Sequence, residues 1–185
     1  MKFLIACDLD GVVVDNSRRE ALAECAKQDY LKEMGGLENA DKKDIDSVYY
    51  QSLLNGLHMY LDQIIPDAFE SLRTLEEMGH HIIYTTSRPE HLRVTTARWL
   101  LSYGLWKPET RELQMKPARC QFIKTVEWKP AMIKELAMNQ HEHGVLLIDD
   151  SDDICTAFQA YQSEVDFKIM TSTDLTTAVQ MMQGI

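Results

Sequence analysis

Cysteine is scarce in this chain. Cys7, Cys25, Cys120 and Cys155 form no CxxC or other ligand spacing, which excludes a disulfide-stapled scaffold or a sulfur-rich metal site as the organising principle. Three of the four lie in apolar patterns that predict burial, and a reduced, cytoplasmic setting is the expectation. Also lacking is any stretch near the roughly 20 consecutive apolar residues of a membrane-spanning helix. The apolar start Phe3-Leu4-Ile5-Ala6-Cys7 stops at Asp8, well short of a secretory core. No membrane partner is expected. Positive charge is in short supply too: 19 Lys and Arg against 29 Asp and Glu leave a net charge of −10. Diffuse attraction to nucleic acid or anionic lipid is therefore not the expected binding force. One local exception runs from 107 to 134, where Lys107, Arg111, Lys116, Arg119, Lys124, Lys129 and Lys134 outnumber Glu109, Glu112 and Glu127.

The 185 residues contain no repeat or low-complexity tract and suit one compact domain with a modest insertion. Short apolar runs at 3–7, 81–85, 111–115, 144–148 and 166–170 read as strands. The segments 67–79, 89–103, 128–138, 151–162 and 173–183 space their apolar residues at three and four, as helices do. That alternation predicts an α/β fold: a doubly wound, Rossmann-like three-layer sandwich with a parallel sheet in the order 3-2-1-4-5. Residues 1–15 and 66–185 form its core domain. The segment 16–65 breaks the alternation and reads as a small helical cap insertion, punctuated by Gly35-Gly36 and Gly56 and ended by Pro66. Its stripe of Tyr49, Tyr50, Leu53, Leu54, Leu57, Tyr60 and Leu61 predicts packing within the cap and against the core, with some aromatics left to line a pocket.

Acids stand where two of the apolar runs end. Asp8 and Asp10 follow the first, with Gly11 permitting a tight turn, and Asp149 and Asp150 follow Val145-Leu146-Leu147-Ile148. Open α/β sheets bind ligands at these carboxyl ends. If the two strands are neighbours, the carboxylates repel by about 4 kcal/mol per pair at ~4 Å and an effective dielectric of ~20. A hard divalent cation relieves this, and Mg²⁺ is the expected cofactor when phosphate completes its shell. A lone acid in such a place is more often a helix N-cap; two pairs weigh against that reading.

The run Ile82-Ile83-Tyr84-Thr85-Thr86-Ser87-Arg88-Pro89 ends in hydroxyls, with Pro89 suited to the first turn of a helix. Hydroxyls and helix-start amides together make an anion cradle, and Arg88 adds a fork that fits either phosphate or a surface carboxylate. Lys129 stands at the opening of the helix 128–138, where a cation opposes the dipole, a local misfit that hints at function. Lys124 competes for the same role. His141-Glu142-His143 reads as a solvent loop.

In order and spacing, Asp8-Leu9-Asp10-Gly11-Val12, the Thr86 strand end, Lys129 and Asp149-Asp150 resemble the four motifs of the haloacid dehalogenase superfamily. Within it, Thr86-Ser87-Arg88 looks like the Ser-Gly-Arg turn of polynucleotide kinase 3′-phosphatase domains, and Leu113-Gln114-Met115-Lys116-Pro117 followed by Lys129 is similar in layout. Members often carry an acid where this chain has Ile154; Asp153 or Asp149 then stands in.

The resemblance implies a phosphatase, with Asp8 and Asp10 as catalytic nucleophile and acid–base, and with Thr86, Ser87, Arg88 and Lys129 binding the substrate phosphate. The metal ligands are then Asp8, Asp10 through its carbonyl, Asp149 and Asp150. The expected substrate is a small phosphorylated metabolite or nucleotide, with a nucleic-acid end as the alternative. A phospho-accepting receiver module fits less well, because its acid pair and acceptor occur in a different order; a catalytically silent binding relative leaves the filled motif positions unexplained.

Overall fold

The computed structural model describes residues 2–107, 111–140 and 143–185. The strands are β1 (Phe3–Asp8), the short β2 (Val14–Asp15) and β3 (Gln63–Ile64), β4 (His81–Pro89), β5 (Arg111–Lys116), β6 (Gly144–Ile148) and β7 (Lys168–Ser172). Five of them form one parallel sheet in the order β5-β4-β1-β6-β7. Numbered along the chain within that sheet, the order is 3-2-1-4-5, as the alternation predicted.

Burial explains the sequence of each strand. Central β1 and β6 are covered on both faces and are apolar almost throughout, whereas edge strand β5 alternates between buried and more exposed positions. The pleat sends Phe3, Ile5 and Cys7 to one face and Leu4 and Ala6 to the other. The first face is covered by α3 (Ala68–Glu77), α4 (Arg93–Ser102) and α7 (Leu175–Gln183) through Leu72, Leu75, Leu100, Leu175 and Met182. The second is covered by α5 (Thr125–Gln140) and α6 (Asp152–Gln159) through Ile133, Ala137, Ile154 and Phe158. Each fully buried Leu, Ile or Phe contributes about 1.5–3 kcal/mol to holding these layers together.

Between β1 and β4 the chain makes α1 (Ser17–Glu33) and α2 (Lys42–Leu53), which pack on each other. The excursion leaves and returns at one place. There β2 pairs antiparallel with β3, and Ile65 N–H donates to the Val13 carbonyl at 2.9 Å.

Several expected boundaries move, among them the end of the second strand, placed at 85 and found at Pro89. The helix placed at 89–103 begins at Arg93, because Pro89 stays in β4 beyond a register shift between Thr86 and Pro89. The helix placed at 128–138 begins at Thr125, with the Lys124 carbonyl accepting from Glu127 and Trp128 N–H. The last strand runs over 168–172 rather than 166–170. Cys7 and Cys155 are buried, Cys25 is exposed and Cys120 is half-buried, one fewer buried cysteine than the patterns predicted. His141 and Glu142, and with them the expected solvent loop, lie outside the described residues. No helix among the described residues is long and apolar enough to cross a membrane.

Candidate active site

Strand register brings the two acidic turns together. Cys7 pairs with Ile148, so Asp8 and Asp149, the next residues, leave neighbouring strands side by side. One carboxylate oxygen from each of Asp8, Asp149 and Asp150 lies within 4.8 Å of the others. Lys129, from α5, is buried among them with Nζ 2.8 Å from Asp8 Oδ1 and 2.6 Å from Asp149 Oδ2. Asp8 Oδ1 also accepts the Leu9 N–H at 2.8 Å, and Asp149 Oδ1 accepts the Ser151 N–H at 3.1 Å.

One ammonium does not neutralise three carboxylates. Burial pushes the Asp8 carboxyl up to about 7, Lys129 pulls it back and Asp149 adds to the rise. Burial and the Asp149 charge also raise Asp150. Hard oxygen donors at this spacing, carrying uncompensated negative charge, fit a divalent cation such as Mg²⁺.

Gly11 lets that cluster form. Its φ of 83° lies in the left-handed region, and a Cβ there would meet Asp150 Oδ2 at 2.2 Å. Gly11→Ala is therefore expected to cost about 1–2 kcal/mol through the backbone and to displace Asp150. Urea unfolding with and without Mg²⁺ checks this: the cation should stabilise the parent chain and stabilise the variant less.

Asp10 stands apart from the three clustered carboxylates. Its Oδ1 accepts from Arg19 Nη2 and from Arg88 Nη2, each at 2.6 Å, and its Oδ2 accepts from Arg88 Nε at 2.8 Å. Asp62 closes a ring by accepting from Arg19 Nε and Arg88 Nη2, both at 2.8 Å. At Asp10, burial favours the neutral acid but the two arginines outweigh it and hold the carboxyl low; at Asp62 burial wins and the carboxyl is raised. Arg88, expected as a phosphate fork, is buried with its fork engaged by Asp10 and Asp62.

The hydroxyls also sort differently from expectation. Thr86 is buried, and its Oγ1 accepts the Arg88 N–H at 3.2 Å, which fixes the turn; Ser87 is exposed and lines the cleft. Because α4 starts only at Arg93, the helix-start amides expected beside Thr86 lie further along the chain.

These groups open into a cleft of about 760 Å³. Its floor is Asp8, Asp10, Gly11, Lys129, Asp149 and Asp150, one wall is Tyr50, Leu53 and Leu54, and the other is the loop Gln121-Phe122-Ile123-Lys124 with Lys116. Lys129 and Lys124 both line it, and Lys129 is the one in contact with Asp8 and Asp149. The rest of the basic stretch largely disperses: Arg111 and Lys107 bind Glu76, and Lys134 binds Glu164. Sequence reasoning missed Arg19 and Asp62, which carry no local signature, and the loop at 121–124, where the 90% exposure of Phe122 is visible only in three dimensions.

A solved haloacid dehalogenase-like family hydrolase from Streptococcus pneumoniae superposes with a TM-score of 0.67 at 14% identity, covering 98% of each chain. The chain has the haloacid dehalogenase-like fold. A hydrolase from Pseudomonas syringae shares that fold at a TM-score of 0.61 and 14% identity over 100% of this chain and 99% of its own. A chain of the Pnkp1/Rnl/Hen1 complex shares it at a TM-score of 0.52 and 16% identity, over 94% of this chain and 46% of its own. In sequence, a protein of Bacillus cereus provisionally described as a nucleotidase is 36% identical over 62 residues, 34% of this chain and about a third (33%) of that relative's length. No family model matches the sequence.

Proposed function

We propose that this haloacid dehalogenase-like chain is a Mg²⁺-dependent phosphomonoester hydrolase acting on a small phosphorylated metabolite or nucleotide. In this reading 1–15 and 66–185 are the catalytic core and 16–65 is the cap. The observation that carries it is the buried Asp8 carboxylate held by Lys129 at 2.8 Å beside a second acidic strand end, at the floor of the cleft.

Asp8 attacks the substrate phosphorus in line. The P–O bond to the leaving group breaks and an aspartyl-phosphate forms, splitting one hard displacement into two easier ones. Asp10, held ionised at rest by Arg88 and Arg19, takes up a proton as the substrate binds and passes it to the departing ester oxygen, then accepts one from the water that attacks phosphorus and frees Asp8; such transfers contribute about 10²–10⁴ in rate. Lys129 orients Asp8 and meets the transferred oxygens, with Ser87 the hydroxyl placed at the cleft surface to join it. Asp8, Asp149 and Asp150, with the Asp10 carbonyl, would hold Mg²⁺, which supplies charge neutralisation on the transferring group. EDTA is expected to reduce phosphate release from a panel of esters to background and Mg²⁺ to restore it. Release that continues undiminished in EDTA contradicts the metal assignment.

The nucleotide option is supported by the resemblance to the Bacillus cereus relative and by Tyr50 and Phe122 on the cleft walls, two rings suited to a planar leaving group. Lys116 and Lys124 on the cleft wall, with the fold likeness to the Pnkp1/Rnl/Hen1 chain, favour 3′-phosphorylated nucleic-acid ends as the second reading. Salt separates them: a mononucleotide preference that persists as salt rises supports the first, and oligonucleotide activity that falls steeply with salt supports the second.

A further inference from the structure

Two arginines and two aspartates form a closed, charge-balanced ring beside the cleft, and the hydrolytic scheme gives no task to Arg19 or Asp62. Arg19 comes from α1 and is 1% exposed, with every side of its guanidinium engaged: Nε on Asp62 at 2.8 Å, Nη1 on the Leu53 carbonyl at 2.8 Å and Nη2 on Asp10 at 2.6 Å. Asp62 is fastened again where Trp99 Nε1 donates to its carbonyl at 3.2 Å. Side-chain exposure is 1% at Arg19 and Arg88 and zero (0%) at Asp62, but 24% at Asp10. The ring therefore presents a single carboxylate to the cleft and fixes its rotation from both oxygens.

Resting on the phosphohydrolase reading above, we infer that Arg19 and Asp62 are positioning residues for the proton-transferring Asp10. A proton donor works only within hydrogen-bond reach of the oxygen that receives the proton, and small displacements are costly. Arg19 blocks rotation of Asp10 about its side-chain bonds, and Asp62 holds Arg19 and Arg88 at the spacing that grips both Asp10 oxygens. Both residues reach the core from the 16–65 segment, so that segment contributes directly to how Asp10 is held.

The test uses leaving-group dependence, which a merely structural role does not move. Steady-state kinetics are compared for the 185-residue parent chain and Arg19→Gln on two Mg²⁺-supported substrates: the alkyl phosphate ester that the parent chain hydrolyses best, and p-nitrophenyl phosphate, whose phenolate departs without a proton. Expected is a fall in kcat/KM of about 10–100-fold on the alkyl ester, a fraction of the full acid–base contribution. kcat/KM on the aryl ester should change less than about threefold, because this ratio reads only the steps up to leaving-group departure, whereas kcat also contains the later hydrolysis that Asp10 serves for both esters. Equal losses of kcat/KM on both substrates, or no loss on either, overturn the inference.

If Arg19→Gln does not fold, the charge-balanced double variant Arg19→Gln with Asp62→Asn is read in the same way, and the same split or its absence decides. A parent chain that hydrolyses neither ester overturns the phosphohydrolase reading itself. An active parent with uniformly affected variants overturns only the positioning role.

Discussion

Asp8→Asn is expected to lower phosphate release by roughly 10³-fold or more, the scale seen when a covalent nucleophile is removed, while leaving the fold intact. The change is nearly isosteric, and the amide oxygen can still accept the Leu9 N–H. It removes one negative charge from a cluster where burial already disfavours that charge. The thermal midpoint should therefore stay level or rise slightly, although a buried ion pair with Lys129 is lost, because Lys129 keeps Asp149 at 2.6 Å. Phosphate release and a thermal melt of the same preparation separate the two effects. Parental activity in a folded Asp8→Asn chain refutes the nucleophile.

Lys129→Met is expected to do the reverse to stability. It removes the buried cation between Asp8 and Asp149 and leaves two carboxylates facing each other out of water. Breaking one side of a buried charge cluster costs about 3–5 kcal/mol, which for a chain of this size lowers the melting midpoint by roughly 10 °C. Mg²⁺ should return part of that loss, because a divalent ion supplies the missing positive charge. Lys124→Met, at an exposed position lining the cleft, should change stability by no more than about 0.5 kcal/mol and so barely move the midpoint. Equal midpoints for both lysine variants would show that Lys129 does not hold the acids in solution.

What could be read from the sequence was local. Asp8 and Asp149 were legible because acids end two apolar strands at once, where one alone would read as a helix N-cap, and register then did the rest: a Cys7–Ile148 pairing places the two turns side by side. Gly11 was legible as a turn residue, but not as the reason Asp150 can approach. Lys129 was legible even though its helix was started three residues late. That helix begins at Thr125 and carries Pro130 as its sixth residue. Pro89 misled about where the α-helix starts, since it ends β4 and precedes a short 3-10 turn, Glu90–Leu92, before α4 begins at Arg93.

The remainder is tertiary. Arg19 and Asp62 are 43 positions apart, and the ring they form with Asp10 and Arg88 exists only after the 16–65 excursion has folded back beside the core. No periodicity or composition within that segment announces it. The fork of Arg88 had two equally good sequence readings, phosphate or carboxylate, and only the folded chain shows Asp10 and Asp62 in its grip. Composition misled about charge for a related reason: much of the basic stretch from 107 to 134 is neutralised by Glu76 and Glu164, which come from elsewhere in the chain.

The most direct test is to trap the covalent intermediate. The chain is mixed with Mg²⁺ and an excess of its best ester, quenched in acid during turnover and digested, and the peptide containing Asp8 is examined by mass spectrometry. A phosphoryl group on Asp8, absent from the Asp8→Asn chain, is the predicted result. Turnover with no phosphoryl group on the enzyme at any quench time, or with the group on another residue, would contradict it.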